Sequence, residues 1–252
     1  MTASPRLGKA DIHLHSRYSD GMMTVRQILD WVEEKTDLDV IAVTDHDDIE
    51  GGLRARELAV AGGYRVEVIV GAEISTRDGH VLALFVEKPV RSFRPLEETI
   101  EEIRAQGGLC VVPHPLSWLI TSVGERALDR AMAHHTPGIT ALEVANPTIA
   151  GRVTRLKVAQ LNRTRYGLAE TGGSDAHFLP AIGAAYTTFP GRTAEDFRRA
   201  LLARATAGVE HPGKPERIPV RDLIRQQGRS LVWLPAKRFR RRLAERRAAR
   251  SA

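Results

Sequence analysis

Six of the nine histidines in this chain stand in short, separated motifs that also contain carboxylates. In chain order the motifs are His13-Leu14-His15 with Asp20, Asp45-His46, Glu73 with His80, Pro113-His114-Pro115, and Ser174-Asp175-Ala176-His177. Imidazole nitrogen and carboxylate oxygen are the ligands expected for zinc, manganese or iron. Because the set is larger than one ion can coordinate, the sequence predicts a site with more than one metal ion.

These candidate ligands follow short apolar runs that alternate with amphipathic segments. The predicted strands cover residues 9–14, 40–44, 66–70 and 109–112, and each is followed by a candidate ligand. The predicted helices cover residues 24–36, 95–106, 153–165 and 193–205. Alternating strands and helices indicate parallel βαβ units, and functional groups at the carboxyl ends of the strands are typical of a (β/α) barrel.

Length and composition favour one catalytic domain. The chain has 252 residues and is 42% hydrophobic, which suits a single large core. No apolar run approaches the roughly 20 residues that span a bilayer, and residues 1–10 lack the apolar stretch of a signal peptide. The one cysteine, Cys110, lies within an apolar run, where burial is expected. We expect a cytoplasmic protein without a transmembrane segment.

The net charge of +6 is unevenly distributed. Residues 213–252 contain 13 Lys or Arg against 3 Asp or Glu, a net of +10, whereas residues 1–212 contain 24 against 28. Prolines and a glycine in residues 210–215 predict a linker between the two parts. The sequence thus predicts a barrel domain over residues 1–212, followed by a basic tail over residues 213–252 that is helical or partly disordered.

The motifs, in their order, resemble those of the PHP family, named for polymerase and histidinol phosphatase. They are His13-x-His15 with Ser19-Asp20-Gly21, Val43-Thr44-Asp45-His46-Asp47, Gly71-Ala72-Glu73-Ile74-Ser75, His114-Pro115, and Gly173-Ser174-Asp175-Ala176-His177. The resemblance covers roughly residues 10–190 and extends to a short associated segment over residues 183–204. It implies a distorted (β/α)7 barrel that hydrolyses phosphoester bonds, similar to the stand-alone metal-dependent phosphoesterases.

The resemblance also implies a role for each ligand. One metal ion would be held by His13, His15, Glu73 and Asp175, a second by Glu73, His80 and His114, and a third by Asp20, His46 and His177. The cofactors would be two or three divalent ions of manganese, iron or zinc. The residues assigned to catalysis are Asp20, His46, Glu73, Asp175 and His177. The expected reaction is phosphoester hydrolysis by a metal-bound hydroxide.

Other residues are expected to assist. Arg17 lies on the loop after His15 and is predicted to bind a substrate phosphate, with an exposed arginine that has no such role as the alternative. Asp45 is expected to orient the imidazole of His46. Glu143 is expected to be structural or to support a ligand, and the histidines at 134–135 are expected on the surface at a helix end.

The motifs do not specify one substrate. Relatives that process nucleotides carry an insertion between the second and third groups of ligands, whereas only 34 positions separate His80 from His114 here. The expected substrate is therefore a phosphomonoester or a phosphoester of a nucleotide or oligonucleotide, without a decision for nucleoside bisphosphates. A histidinol-phosphatase-like activity is one alternative.

A non-enzymatic alternative rests on the tail. Trp233 precedes the basic run 237–242, and in a helix Phe239 and Leu243 would share one face. Such a segment binds phosphate backbones or anionic membranes, and the barrel would then be a metal-stabilised scaffold. The complete ligand set favours the enzyme.

Overall fold

The computed structural model describes residues 6–133, 138–213 and 217–240. The strands are β1 Gly8–Leu14, β2 Val40–Val43, β3 Glu67–Ser75, β4 His80–Leu84, β5 Leu109–Val112, β6 Ile139–Ala145, β7 Ala169–Gly172, β8 Ala185–Phe189 and β9 Ala207–Glu210. The helices are α1 Val25–Lys35, α2 Glu50–Gly62, α3 Leu96–Ala105, α4 Glu125–Ala133, α5 Ile149–Arg152, α6 Arg155–Leu161, α7 Ala194–Leu202 and α8 Val220–Gly228. The predictions for residues 134–135 and 243 fall outside the described residues.

All nine strands form one mixed sheet in the order β7-β6-β5-β4-β3-β2-β1-β8-β9. Strands β1 to β3 are parallel to one another, and so are β5 to β7. The two ends of the sheet meet: the Gly172 N–H donates to Thr187 Oγ1 at 3.0 Å, and Thr206 Oγ1 donates to the Glu170 carbonyl at 2.7 Å. The sheet is therefore a nearly closed barrel, which confirms the predicted distorted β/α barrel.

The predicted parallel pattern holds for β1–β3 and for β5–β7, and it is interrupted at β4 and β8. Strand β4 is antiparallel to both of its neighbours, and β8 is antiparallel to β1 and β9. The connection between β3 and β4 is a tight hairpin over residues 76–79, in which Gly79 has φ +137°. A short hairpin can join only antiparallel strands, because a parallel pair needs a crossover of a dozen or more residues.

The predicted helices at 24–36, 95–106 and 193–205 are confirmed to within three residues as α1, α3 and α7. Thr24 caps α1: its side chain accepts from the Gln27 N–H, and the Gln27 side chain accepts from the Thr24 N–H. The helix predicted over 153–165 is instead α6 followed by a π-helical turn at Asn162–Tyr166. These helices bury one apolar face against the barrel.

The central strands are buried on both faces, because side chains fill the barrel and helices cover it. Every residue of β2 and of β5 is buried. Cys110 in β5 is completely buried, and burial raises the pKa of its thiol to about 12. The cysteine is therefore part of the core, as predicted, and is not available as a thiolate.

Residues 217–240 lie against the barrel as a helical segment. Helix α8 continues through a π-helical turn at Arg229–Trp233 into helical residues 234–240. Leu234 is 3% exposed and Gln226 is 8% exposed. We call residues 217–240 the C-terminal segment. Within the described part of the chain, no helix is long and apolar enough to cross a membrane.

Candidate metal centre

The barrel brings all nine predicted ligands together at the carboxyl ends of its parallel strands. His13 and His15 lie at the end of β1, His46 follows β2, His114 follows β5, and Asp175 and His177 follow β7. Glu73 and His80 lie on the two strands of the β3–β4 hairpin, where Glu73 pairs with Leu82 and His80 pairs with Ser75. His13 lies inside β1, as it lies inside the predicted strand, whereas the expectation that Glu73 follows its strand is wrong because β3 extends to Ser75.

The first group of ligand atoms surrounds a point at the end of β1. Glu73 Oε2 lies 3.3 Å from His13 Nε2 and 3.2 Å from His15 Nε2. Asp175 Oδ1 lies 3.6 Å from His13 Nε2 and 3.3 Å from His15 Nε2. Ligands bound to zinc at 2.0–2.2 Å in a tetrahedron are about 3.4 Å apart. These four side chains thus have the separation needed to hold one ion.

Glu73 faces a second group with its other oxygen. Glu73 Oε1 lies 2.8 Å from His80 Nδ1 and 3.3 Å from His114 Nε2. A carboxylate that presents one oxygen to each of two imidazole groups has the geometry of a bridge between two cations. The bridging arrangement implied by the sequence is therefore available in the structure.

Asp20 is the centre of a third group. Its Oδ1 lies 3.3 Å from His177 Nε2, 3.9 Å from His46 Nε2 and 3.9 Å from His15 Nδ1. His46 Nδ1 lies 3.4 Å from Glu73 Oε2, which joins this group to the first. The three groups form one continuous cluster.

Several polar atoms of the cluster are buried without a hydrogen-bond partner among the described residues. They are both ring nitrogens of His15, Asp20 Oδ1 and His46 Nδ1. Burial of an unpaired polar atom costs a few kcal/mol, so native structures rarely contain several at one place. Coordination of divalent cations would satisfy Asp20 Oδ1, His46 Nδ1 and one of the two ring nitrogens of His15. The donor set and its geometry therefore fit metal ions.

Electrostatics inside the cluster also favour cations. Burial alone would raise the pKa of Glu73, yet His46, His80 and His13 hold it well below the ordinary value. The pKa of Asp20 is likewise lowered by His177 and His46, against the effect of burial. Both carboxylates are therefore ionised at neutral pH and are available as ligands.

The Glu143 carboxylate supports two ligands at once. Its Oε1 lies 3.0 Å from His13 Nδ1, while its Oε2 accepts from the His114 N–H at 2.8 Å and from Asn146 Nδ2 at 2.7 Å. Gly173 leaves room for this arrangement, since a Cβ there would lie 2.4 Å from Glu143 Oε1. The supporting role that the sequence suggested for Glu143 is thus confirmed by its contacts.

Asp45 does not orient a histidine as expected. The hydrogen bonds that its carboxylate accepts in the described residues come from the N–H and hydroxyl groups of Ser16 and Ser19, at 2.5–3.1 Å. Asp45 therefore shapes the loop between His15 and Asp20. The sequence could not show this, because Ser16 and Ser19 reach the Asp45 carboxylate only in the folded barrel. Their hydrogen bonds then engage that carboxylate in place of the adjacent His46.

Asp11 is a supporting residue that sequence reasoning missed. Its carboxylate accepts from the Ser174 N–H at 3.0 Å and from the Gly183 N–H at 2.9 Å, which fixes the loop that carries Asp175. Burial raises the pKa of Asp11 to about 6. The available signal was its place in the alternation with His13 and His15 along β1.

Two ligands have strained backbones. His114 has φ +31° and Asp175 has φ +52°, a region that side chains other than glycine seldom adopt. Strain of this kind persists only where the surroundings over-determine the conformation, and it is common at functional sites.

Arg17 is exposed, and its Nε donates to the Met22 carbonyl at 3.1 Å. The described contacts link its side chain to its own loop and not to the nine ligands. Its predicted contact with a substrate phosphate stays a prediction.

The C-terminal segment reaches the same edge of the barrel, which the sequence did not reveal. Gln226 Nε2 lies 3.5 Å from Asp20 Oδ2. Arg229 Nη2 donates to the carbonyls of Arg17 and Ser19, at 2.9 and 2.7 Å. The segment thus closes over the loop between His15 and Asp20.

Comparison with known proteins places these features in a family. The family described as PHP domain matches residues 11–171, and the one described as PHP-associated matches residues 156–206. The chain is 36% identical over 149 residues to an uncharacterized protein of Methanocaldococcus jannaschii, covering 52% of this chain and 85% of the relative. It is 37% identical over 84 residues to phosphoribosyl 1,2-cyclic phosphate 1,2-diphosphodiesterase of Eggerthella lenta, covering 31% of each protein.

Solved structures share the fold. A two-domain protein from Bacteroides vulgatus with a predicted PHP-like metal-dependent phosphoesterase has a TM-score of 0.66 at 23% identity, covering 88% of this chain and 69% of that one. The lesion-specific endonuclease Q of Pyrococcus furiosus has a TM-score of 0.56 at 14% identity, covering 81% of this chain and 58% of that one. The matched family domain, the barrel and the His/Asp/Glu cluster agree, and this chain belongs to the PHP family of metal-dependent phosphoesterases.

Proposed function

We propose that this protein hydrolyses a phosphoester of a small molecule or nucleotide with two or three divalent ions held by the nine-residue cluster. The observation that carries the proposal is Glu73, whose Oε2 faces His13 and His15 while its Oε1 faces His80 and His114. A bridging carboxylate between imidazole groups is suited to two adjacent cations. Ions held in this way neutralise phosphate oxygens in phosphoryl transfer.

The residue roles follow from the geometry. His13, His15, Glu73 and Asp175 would hold one ion, Glu73, His80 and His114 a second, and Asp20, His46 and His177 a third. When bound, manganese, iron or zinc would supply Lewis acidity and lower the pKa of a coordinated water. The protein itself supplies fixed ligand positions, because Glu143 holds His13 and the β3–β4 hairpin brings Glu73 Oε1 to 2.8 Å from His80 Nδ1.

The substrate would approach from the side of the partly exposed ligands. The side chains of His13 and His15 are fully buried, whereas those of His46, His80, Asp175 and His177 are 12–18% exposed. The buried ligands would hold the metals from behind, and the partly exposed ones border the face open to a phosphate. The open face lies beside His46 and His177, and the catalytic roles that we propose are those expected from the sequence, for Asp20, His46, Glu73, Asp175 and His177.

The non-enzymatic alternative has less support. Arg229, Lys237 and Arg238 belong to the basic tail, yet each donates to groups of the barrel. These cations are engaged at the edge of the cluster, where they can assist an enzyme. A binding protein that used the tail for nucleic acid or membrane would have to release them.

The test is reconstitution of metal-stripped protein with manganese, iron or zinc, one at a time. Each preparation is assayed on phosphomonoesters including histidinol phosphate, nucleoside bisphosphates, cyclic phosphodiesters and short oligonucleotides. We expect turnover of at least one small phosphoester that chelation abolishes and metal restores. His13→Ala should lose that turnover, whereas the matched control His211→Ala, on an exposed loop, should keep it. Chelator-resistant turnover would contradict the proposal.

A further inference from the structure

A cavity of about 290 Å³ adjoins the candidate metal centre at His46. One wall is the loop at residues 89–94, and another is the C-terminal segment through Leu234, Lys237 and Arg238. The volume is near the lower end of small-molecule pockets, roughly 300 Å³. The cavity can therefore take a compact group joined to a phosphoryl group at the metals, and it is too small for a folded nucleic acid.

The C-terminal segment holds two cations at this cavity. Arg238 Nη2 lies 2.6 Å from Asp47 Oδ2 and 2.9 Å from Ser75 Oγ, and Lys237 Nζ lies 2.8 Å from Asp48 Oδ2. These contacts fix both side chains next to His46. Since Asp47 and Asp48 directly follow His46, the two cations are tied to the loop that carries a predicted metal ligand.

Two guanidinium groups of the cavity keep donors without an acceptor. The Nε atoms of Arg94 and Arg238 are buried and have no hydrogen-bond partner among the described residues. The Arg238 guanidinium also lies 5.8 Å from the centre of the Phe93 ring, which helps to fix its plane. A buried N–H without an acceptor is costly, and a planar guanidinium is shaped for a phosphate or carboxylate.

We propose that this cavity binds a second anionic group of the substrate, a phosphate or a carboxylate. That group would belong to the leaving-group part of the substrate, which separates from the phosphoryl group during hydrolysis. Lys237 and Arg238 are the specificity residues, and they act from the C-terminal segment. The inference rests on the proposed phosphoesterase function and names its substrate class: small phosphoesters with a further negative charge. An anion in the cavity would be a second acceptor for Lys237 and Arg238, whose partners Asp48 and Asp47 also line the cavity.

The experiment compares alkanediol bisphosphonates of increasing chain length with the matching monophosphonates, which bind without being hydrolysed. Binding to the metal-loaded full-length protein is measured by calorimetry. Lys237→Gln and Arg238→Gln should each weaken binding of the best bisphosphonate by about tenfold or more, the loss expected for a charge-assisted hydrogen bond. Their affinity for the monophosphonate should change less than about twofold.

Arg221→Gln and Arg225→Gln are the matched controls, since both side chains lie on α8 and are 79% and 71% exposed. They remove the same charge and should leave both affinities unchanged. Equal losses for both ligands, or no loss for either, would overturn the inference. Because the readout is binding, it is independent of hydrolysis: a protein that binds the bisphosphonate through Arg238 and turns over no phosphoester would contradict the proposed function alone.

Discussion

Glu143 Oε1 lies 3.0 Å from His13 Nδ1, so a buried carboxylate fixes the ring whose Nε2 faces Glu73. Because Glu143 also accepts from the His114 N–H, it links two of the three ligand groups. The orientation of both imidazoles therefore depends on one side chain outside the nine ligands.

Replacing Glu143 should weaken metal binding without removing a ligand. Glu143→Gln retains the shape of the side chain but loses the charge that orients His13, and we expect metal affinity to fall about 10–100-fold. Competition with a chelator of known affinity measures this. Glu57→Gln is the control, because Glu57 is exposed and pairs only with Arg54 among the described contacts. An unchanged metal affinity in Glu143→Gln would mean that the contact with Glu143 does not hold His13 in place.

Gly173 is predicted to be essential for a packing reason. A Cβ at this position would lie 2.4 Å from Glu143 Oε1 and 2.7 Å from His13 Cβ, so Gly173→Ala must displace the pair. We expect a loss of about 1–3 kcal/mol in the free energy of unfolding, together with weaker metal binding. Gly124→Ala is the control, since a Cβ there meets nothing within 4 Å. Denaturant unfolding and metal titration of the two variants provide the comparison.

Metal binding should compete with protons at His15. Burial alone would lower the pKa of this imidazole, but Asp175 and Glu73 raise it from 6.5 to about 10 in the metal-free protein. The stabilisation from its protonated form is complete below 6.5 and is lost as pH rises towards 10. Coordination instead requires neutral imidazole, so its contribution grows over the same range.

The measurement is the melting temperature of stripped and metal-loaded protein across a pH series. The metal-induced increase should become larger as pH rises above 6.5, while the stripped protein becomes less stable. His211→Ala should show the same dependence, because that exposed side chain lies outside the cluster. A metal-induced increase that is constant with pH would argue against His15 as a ligand.

The sequence predicted the barrel and the proximity of the ligands because both depend on local pattern. His15, His46 and His114 each follow a predicted strand, and the ends of neighbouring parallel strands must meet. The antiparallel pairing of β4 could not be predicted from local pattern, because residues 76–79 are compatible with a loop as well as with a hairpin until the pairing of Ser75 with His80 is known.

The part played by the C-terminal segment could not be predicted from local pattern. Gln226 and Arg238 lie 49 and 61 positions after His177, the nearest ligand in sequence, and their places depend on how the chain returns over the barrel. Composition alone shows only a basic tail. The contact between Gln226 and Asp20 forms only in the folded chain, and neither the motif around Asp20 nor the composition of the tail indicates it.

The most direct test of the account is to count metal ions and measure turnover on the same preparations of the protein and of Glu73→Gln. We expect about two or three ions per chain in the unchanged protein, because Glu73 presents an oxygen to each of two imidazole groups. Glu73→Gln should lose at least one ion and lower phosphoester turnover by at least about 100-fold, with the fold retained by circular dichroism. A folded Glu73→Gln protein with the full metal content and full turnover would contradict the account.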